Sequence, residues 1–286
     1  MTLYSINCGH FKLDGGAMFG VVPKSIWKNL TPADENNLCS LATRSLLIED
    51  DKRLMLIDTG LGTKQSEKFF GFYYLHGDDS LQKSLVAHGF HPDDITDVFL
   101  THLHFDHCGG AIQKDGDKFI PTFKNATYWS NHHHWGWALN PNPRERPSFL
   151  KENITPIRDS GQLKYIDEEI HIDGKLDTAD LCPHCRVRFV NGHTNAMMLP
   201  QITYKNRTIV FVADLFPSVA HLPVNYVPAY DIKPLVSMTE KEQFLQEALA
   251  NDYILFFEHD PVNECCTLQQ TEKGIRAKDI FKLSEL

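Results

Sequence analysis

Thr101-His102-Leu103-His104-Phe105-Asp106-His107-Cys108-Gly109-Gly110 is the stretch on which the reading of this chain turns. It gathers three imidazoles and a carboxylate between His102 and His107. No packing need calls for such groups at the end of a buried strand. The preceding run, Asp97-Val98-Phe99-Leu100-Thr101, is apolar and β-branched, as a buried strand should be. Alternate residues of an extended chain point the same way. His102, His104 and Asp106 are therefore expected to share one side as the strand ends, with His107 leaving that alternation to reach a neighbouring point. Gly109-Gly110 is expected to let the backbone turn sharply. Imidazole suits zinc and similar divalent ions, and a carboxylate adds charge and hardness. The stretch reads as a metal site and as half of a two-metal site.

Other metal-capable residues recur just past predicted strands. Arg186 to Val190 reads as a strand ending at Asn191-Gly192-His193. Leu199 to Tyr204 and Thr208 to Val212 read as a hairpin ending at Ala213-Asp214. Tyr253 to Phe257 reads as a strand ending at Glu258-His259-Asp260. Upstream, Leu41 to Ile48 and Leu54 to Ile57 form a predicted hairpin leading into Asp58-Thr59-Gly60. Ser80 to His88 and Thr239 to Leu249 have helical spacing, the first with Leu81, Leu85 and Val86 on one face. Strand ends of an α/β layered fold are where sites gather, because a rigid sheet aims the loops.

Composition narrows the classes. The 286 residues can bury a sizeable core, and no linker divides them. One domain over 1–286 is expected, with 1–40 as an N-terminal arm or pocket-covering segment. A formal charge of −9 disfavours broad contact with phosphate backbones, so no nucleic-acid partner is expected. No apolar run approaches a membrane span, and Met1 to His10 does not read as a signal peptide. Seven scattered cysteines fit reduced thiols in a cytoplasm better than a disulfide framework.

The ordered set His-x-His-x-Asp-His at 102–107, Gly-His at 192–193, Asp214 and His259, with Leu56-Ile57-Asp58-Thr59-Gly60 upstream, resembles the metallo-β-lactamase superfamily. The resemblance spans roughly residues 40 to 265. It implies a four-layer αβ/βα sandwich and two divalent metal ions, zinc first among them. The first metal would take His102, His104 and His193, and the second Asp106, His107 and His259, with Asp214 bridging. Within the superfamily the chain is most similar to quorum-quenching lactonases that open N-acyl homoserine lactones, and to organophosphate hydrolases. The resemblance rests on Phe256-Phe257-Glu258-His259-Asp260 and on Ala17 to Trp27, a segment that lines or covers the substrate pocket in those relatives.

The activity this implies is hydrolysis of a lactone or ester with an apolar portion by a metal-activated water. Asp106 would accept or relay its proton. Phosphotriester and thioester hydrolysis are the alternatives. A mono-iron redox enzyme and a non-catalytic signal-binding protein are the readings from other classes. One position departs from the family. Many such lactonases carry a tyrosine three residues after the bridging Asp, where this chain has Pro217, which can donate no hydrogen bond. Either another group such as His221, Tyr226 or Tyr230 replaces that donor, or the preferred substrate differs.

Lesser signals have two readings each. Asp58 is either a partner of a ligand histidine or a turn-forming residue. Cys182-Pro183-His184-Cys185 has the spacing of a zinc knuckle or redox pair but reads as a plain loop, because a structural zinc needs four ligands and no second C-x-x-C exists. His132-His133-His134 reads as helix surface with an aromatic anchor, with contact to substrate at a pocket rim as the alternative. Met18, Phe19, Val21, Val22, Ile26 and Trp27 read either as packing of the N-terminal arm or as a pocket wall with a homodimer contact.

Overall fold

The computed structural model describes residues 1–51, 53–166 and 178–286, which divide into two compact units. One unit comprises Met1–Phe11 and Ala42–Glu168, and the other Lys12–Leu41 and Glu169–Leu286.

In chain order the N-terminal half supplies β1 (Thr2–Asp14), α1 (Gly15–Phe19), α2 (Lys24–Trp27), β2 (Leu38–Asp50), β3 (Arg53–Ile57), α3 (Glu67–Gly71), α4 (Leu81–Ala87) and β4 (Asp97–Phe99). It continues with α5 (Phe105–Cys108), the hairpin β5 (Ile112–Asp115) and β6 (Lys118–Pro121), β7 (Thr127–Ser130), α6 (His132–Leu139), α7 (Lys151–Asp159) and β8 (Leu163–Tyr165). The six-stranded sheet of the first unit has the order β1-β2-β3-β4-β7-β8. The predicted β2–β3 hairpin forms in the register Leu46↔Ile57 through Asp50↔Arg53. Strand β4 lies parallel to both β3 and β7, so it occupies the middle of the sheet. Its residues are buried, and Val98 joins Leu56, Leu85, Ile95 and Tyr128 in the core of this unit. In α4, Leu81 and Leu85 face that core, but Val86 is 63% exposed and does not share their face.

The second unit is built on β9 (Thr178–Cys182), β10 (Cys185–Val190), β11 (Met197–Tyr204), β12 (Arg207–Phe211), α8 (Pro234–Ala250), β13 (Ile254–Phe256), β14 (Cys265–Thr271) and β15 (Gly274–Phe281). Its seven-stranded sheet has the order β15-β14-β13-β12-β11-β10-β9. Lys205 and Asn206, both at positive φ, form the two-residue turn of the β11–β12 hairpin. Cys182-Pro183-His184-Cys185, expected to be a plain loop, forms the tight turn joining β9 to β10, with Cys182 opposite Cys185.

Helix α8 begins five residues before the predicted start. Pro234 occupies its first turn, where a missing N–H costs nothing. Thr239, placed at the helix start by the sequence reading, lies inside the helix and donates its hydroxyl to the Leu235 carbonyl at 3.2 Å. No helix among the described residues is long and apolar enough to cross a membrane.

Candidate metal centre

In the first unit the strand ends earlier than the alternation argument requires. Strand β4 stops at Phe99, and Asp106 and His107 sit in the single helical turn of α5, not on an extended chain. The ring centroids of His102 lie 4.5 Å from His104 and 3.9 Å from His107. Asp106 Oδ2 lies 3.9 Å from His107 Nε2. The clustering read from the sequence is present, reached through a helical turn.

The two glycines serve a purpose other than a sharp turn. Gly109 has φ −59°, open to any residue. A Cβ there would lie 2.1 Å from the Leu61 carbonyl oxygen, and one at Gly110 would lie 2.2 Å from that of Thr59. The glycines let the 59–62 turn dock onto α5. Gly110 N–H donates to the Gly60 carbonyl at 3.0 Å, and Thr59 N–H donates to the His107 carbonyl at 2.7 Å.

Asp58 combines both of its expected roles. It sits at φ +55° in the turn, wholly buried. Its Oδ1 accepts the Thr101 N–H at 2.8 Å, and its Oδ2 accepts the Thr101 hydroxyl at 2.6 Å and the His107 Nδ1–H at 3.0 Å. The Thr101 hydroxyl spends its one proton on Asp58, so at 3.1 Å from His102 Nδ1 it acts as the acceptor. Both imidazoles are thereby held with Nδ1 protonated and the Nε2 lone pair left for a ligand bond.

In this unit two contributors escaped the sequence reading. His134, grouped there with a helix surface, is fully buried, and its Nε2 accepts the Leu103 N–H at 2.8 Å in the middle of the ligand loop. Glu145, buried and bonded to Trp137 Nε1 at 2.8 Å, brings Oε1 to 3.6 Å from His104 Nε2. No local motif marks either residue, because each reaches the loop from a distant segment. His132 and His133 are both exposed, as the helix-surface reading expects, and the His132 ring lies against Tyr165 with centroids 3.8 Å apart and planes tilted by 32°.

The His134 contact gives a direct test. His134→Phe is expected to leave the Leu103 N–H buried without an acceptor. That should cost about 1–3 kcal/mol of stability and about tenfold in metal affinity. Urea unfolding and competitive metal titration read the two effects. If both quantities match wild type, His134 does not position the loop.

The second unit assembles its own set. Asn191 and Gly192 follow β10, and their N–H groups donate to the two oxygens of Glu240 on α8 at 2.6 and 3.0 Å. A Cβ at Gly192 would lie 2.4 Å from the Ser237 backbone nitrogen, so only glycine lets the start of α8 close on this turn. His193 Nδ1 donates to Asp231 Oδ1 at 2.9 Å, and Asp231 Oδ2 accepts from Ser237. Asp214 follows β12 in a short 3₁₀ turn, and His259 follows β13. One Asp214 oxygen lies 3.0 Å from His193 Nε2 and the other 3.1 Å from His259 Nε2. A carboxylate that offers one oxygen to each of two imidazole tips has the disposition of a bridge. Burial works against charge on His193, but Asp214 and Asp231 outweigh it and hold the ring's pKa up at about 10. The same field favours a metal cation at Nε2 in place of the proton.

Of the expected donors, His221 is committed elsewhere. Its Nε2 lies 2.9 Å from the Met18 carbonyl, which can only accept, so Nε2 carries the proton and Nδ1 accepts from Ser218 Oγ at 2.8 Å. Burial and the nearby Lys241 push its pKa down to about 4. Its ring stacks on Phe19 at 4.6 Å, and Phe19 stacks on Trp27 at 5.2 Å. His221 thus anchors the N-terminal segment and has no proton left for a substrate. Of the apolar group there, Met18, Phe19, Val22 and Trp27 are buried, whereas Val21 and Ile26 are exposed. Lys241, buried on α8, donates to the Pro223 and Tyr226 carbonyls at 3.0 and 2.7 Å and fixes the loop that carries Tyr226. A cavity of about 550 Å³ in this unit is lined by Met18, Phe19, Leu222, Tyr226 and His259 among others. Tyr230 is not among its lining residues.

The profile of the metallo-β-lactamase superfamily matches residues 41–259. This chain belongs to the metallo-β-lactamase superfamily. An N-acyl homoserine lactonase of Bacillus thuringiensis is 30% identical over 274 residues, covering 90% of this chain and 92% of that one. A probable metal-dependent hydrolase from Staphylococcus aureus superposes with a TM-score of 0.87 at 28% identity, covering 98% of this chain and 97% of that one. AidC, a dizinc quorum-quenching lactonase solved with a bound product, gives a TM-score of 0.77 at 21% identity, covering 98% and 95%, a likeness of fold. The fold is thus the αβ/βα sandwich of the superfamily, and the chain is a superfamily hydrolase homologous to quorum-quenching lactonases.

Proposed function

We propose that this metallo-β-lactamase-superfamily hydrolase is a binuclear enzyme that opens a lactone or ester, with N-acyl homoserine lactones as the leading substrate class. The observation that carries the reading is the pair of contacts from Asp214 to His193 and His259, one oxygen to each. On this reading His102, His104 and His193 would hold one divalent ion and Asp106, His107 and His259 the other, with Asp214 a ligand available to both. A donor set of imidazoles and carboxylates favours zinc. Divalent ions held there would polarise a carbonyl oxygen and acidify water.

The protein's own groups do the rest. Asp58, Thr101 and Asp231 keep three ligand imidazoles in the tautomer that presents Nε2. Asp106, half-buried at the start of α5, accepts or relays the proton of the attacking water. Tyr226, in the cavity that also reaches His259, supplies the hydrogen bond that Pro217 cannot give. The apolar lining takes the acyl portion of the substrate and limits the approach of bulk water. Seven cysteines, scattered along the chain, suit a reducing cytoplasm. The exposed Val21 and Ile26 are the apolar groups a homodimer contact would use.

Phosphotriester hydrolysis is the second reading, favoured by Pro217. The test is a panel of lactones, aryl esters, thioesters and phosphotriesters run on metal-quantified protein. About two metal equivalents, as a two-metal site requires, and the highest kcat/KM on acyl homoserine lactones are expected. A single redox-active iron would remove the binuclear hydrolase. Turnover confined to phosphotriesters would replace the lactone as substrate.

A further inference from the structure

The cavity beside His259 contains more than an apolar chain needs. Most of its lining is hydrocarbon, including Met18, Phe19, Leu41, Leu222 and Ala277. Yet the β14–β15 hairpin adds Lys273 and Arg276 to the same wall. The carboxylate there, Asp260, is taken up by backbone and amide groups. Its Oδ1 accepts from the Val262 and Asn263 N–H groups, and its Oδ2 from the Val219 N–H and Asn263 Nδ2. Among the described residues neither Lys273 nor Arg276 has an acidic partner, and the guanidinium donates to a neutral acceptor, the Ile275 carbonyl, at 2.6 Å. A neutral acyl chain gains nothing from two cations that are held in no ion pair. A chain with a net charge of −9 also repels anions at long range, so a cationic patch on an apolar cavity is a local reversal of that field.

We infer that the cavity takes a substrate whose apolar chain ends in an anionic group, which Arg276 and Lys273 recognise. The inference rests on the lactone or ester reading above and narrows its substrate class. A volume of about 550 Å³ is in the range that holds a small-molecule ligand. Arg276 is half-buried and Lys273 exposed, so the contacts are charge-assisted but screened by salt.

The experiment compares two N-acyl homoserine lactones of equal chain length, one ending in a methyl group and one in a carboxylate. Metal-loaded full-length protein is expected to favour the carboxylate-ended lactone by about five- to tenfold in kcat/KM, the range for charge-assisted contacts at partly exposed cations. The preference should reside in KM and shrink as ionic strength rises. In Arg276→Gln, and further in Arg276→Gln with Lys273→Gln, the ratio between the two substrates should fall toward one. Calorimetric binding of the two ring-opened products to the same proteins gives the ratio without turnover. Equal affinity for both products in the wild type, or an unchanged ratio in the double variant, overturns the inference while lactone turnover leaves the parent reading standing. Absence of turnover with a retained binding preference does the reverse.

Discussion

If Asp214 is a ligand to both metals, as proposed, Asp214→Ala is expected to lower kcat/KM by about a thousandfold or more, since its loss would forfeit several kcal/mol of charge stabilisation. The metal content should fall to about one equivalent or less, because among the described residues of that unit Asp214 is the carboxylate that offers separate oxygens to His193 Nε2 and His259 Nε2, at 3.0 and 3.1 Å. The fold should persist. Asp214 projects from a short turn held by its own backbone, with Leu215 N–H on the Val212 carbonyl at 3.1 Å, and no strand pairing passes through its side chain. Elemental analysis, steady-state kinetics and far-UV circular dichroism on one preparation separate these effects. Asp106→Ala and His107→Ala should each lose hydrolysis with the first metal retained. A variant lacking Asp214 that keeps two metals and full turnover would remove the bridge from the assignment.

The second large effect is on stability. Gly109→Ala should destabilise the protein by about 3 kcal/mol, a fall in melting temperature of about 6–10 °C. The new Cβ would lie 2.1 Å from the Leu61 carbonyl oxygen and 2.4 Å from its carbon, and a backbone atom cannot rotate away as a side chain can. To make room, α5 must separate from the 59–62 turn and strain the bonds from Thr59 to His107 and from Gly110 to Gly60. Metal affinity should drop with it, since His107 rides on α5 and takes its orientation from Asp58 on that same turn. Gly136→Ala is the control. Gly136 lies in α6 with nothing within 4 Å of an added Cβ, so alanine there should be neutral or stabilising by up to about 1 kcal/mol. Equal melting temperatures for the two variants would show that the close approach at Gly109 carries no stability.

The legible parts of the site share one property: they lie beside a strand end and alternate with a recognisable pattern. His102 to His107 follow the apolar run at 97–101, His193 follows a β-branched strand, and Asp214 and His259 follow two more. Local chemistry was enough to mark these positions. It did not give the backbone path. The alternation predicted for 102–106 gave way to a helical turn, because docking of the 59–62 turn dominates over strand propensity there. Nor did helix periodicity mark Val86 as exposed or Pro234 as the first residue of α8.

His134, Glu145, Asp231, Glu240 and Lys241 were not legible for a different reason. Each contacts a loop distant in sequence, and nothing near it on the chain announces the partner. Their roles arise from burial, since a polar group removed from water must find a partner within the fold. His221 shows the converse. Its place after Pro217 made it a candidate donor, and only the Met18 carbonyl opposite Nε2 revealed where its proton goes.

The sequence alone therefore determined the superfamily, the donor types and their order along the chain, because metal chemistry restricts residue type and spacing. The tertiary structure decided which nitrogen each imidazole offers, why glycine stands at 109, 110 and 192, and which histidine is structural. Tautomers, close backbone approaches and buried hydrogen bonds depend on neighbours that folding brings together, and the stretch from Thr101 to Gly110 does not contain them.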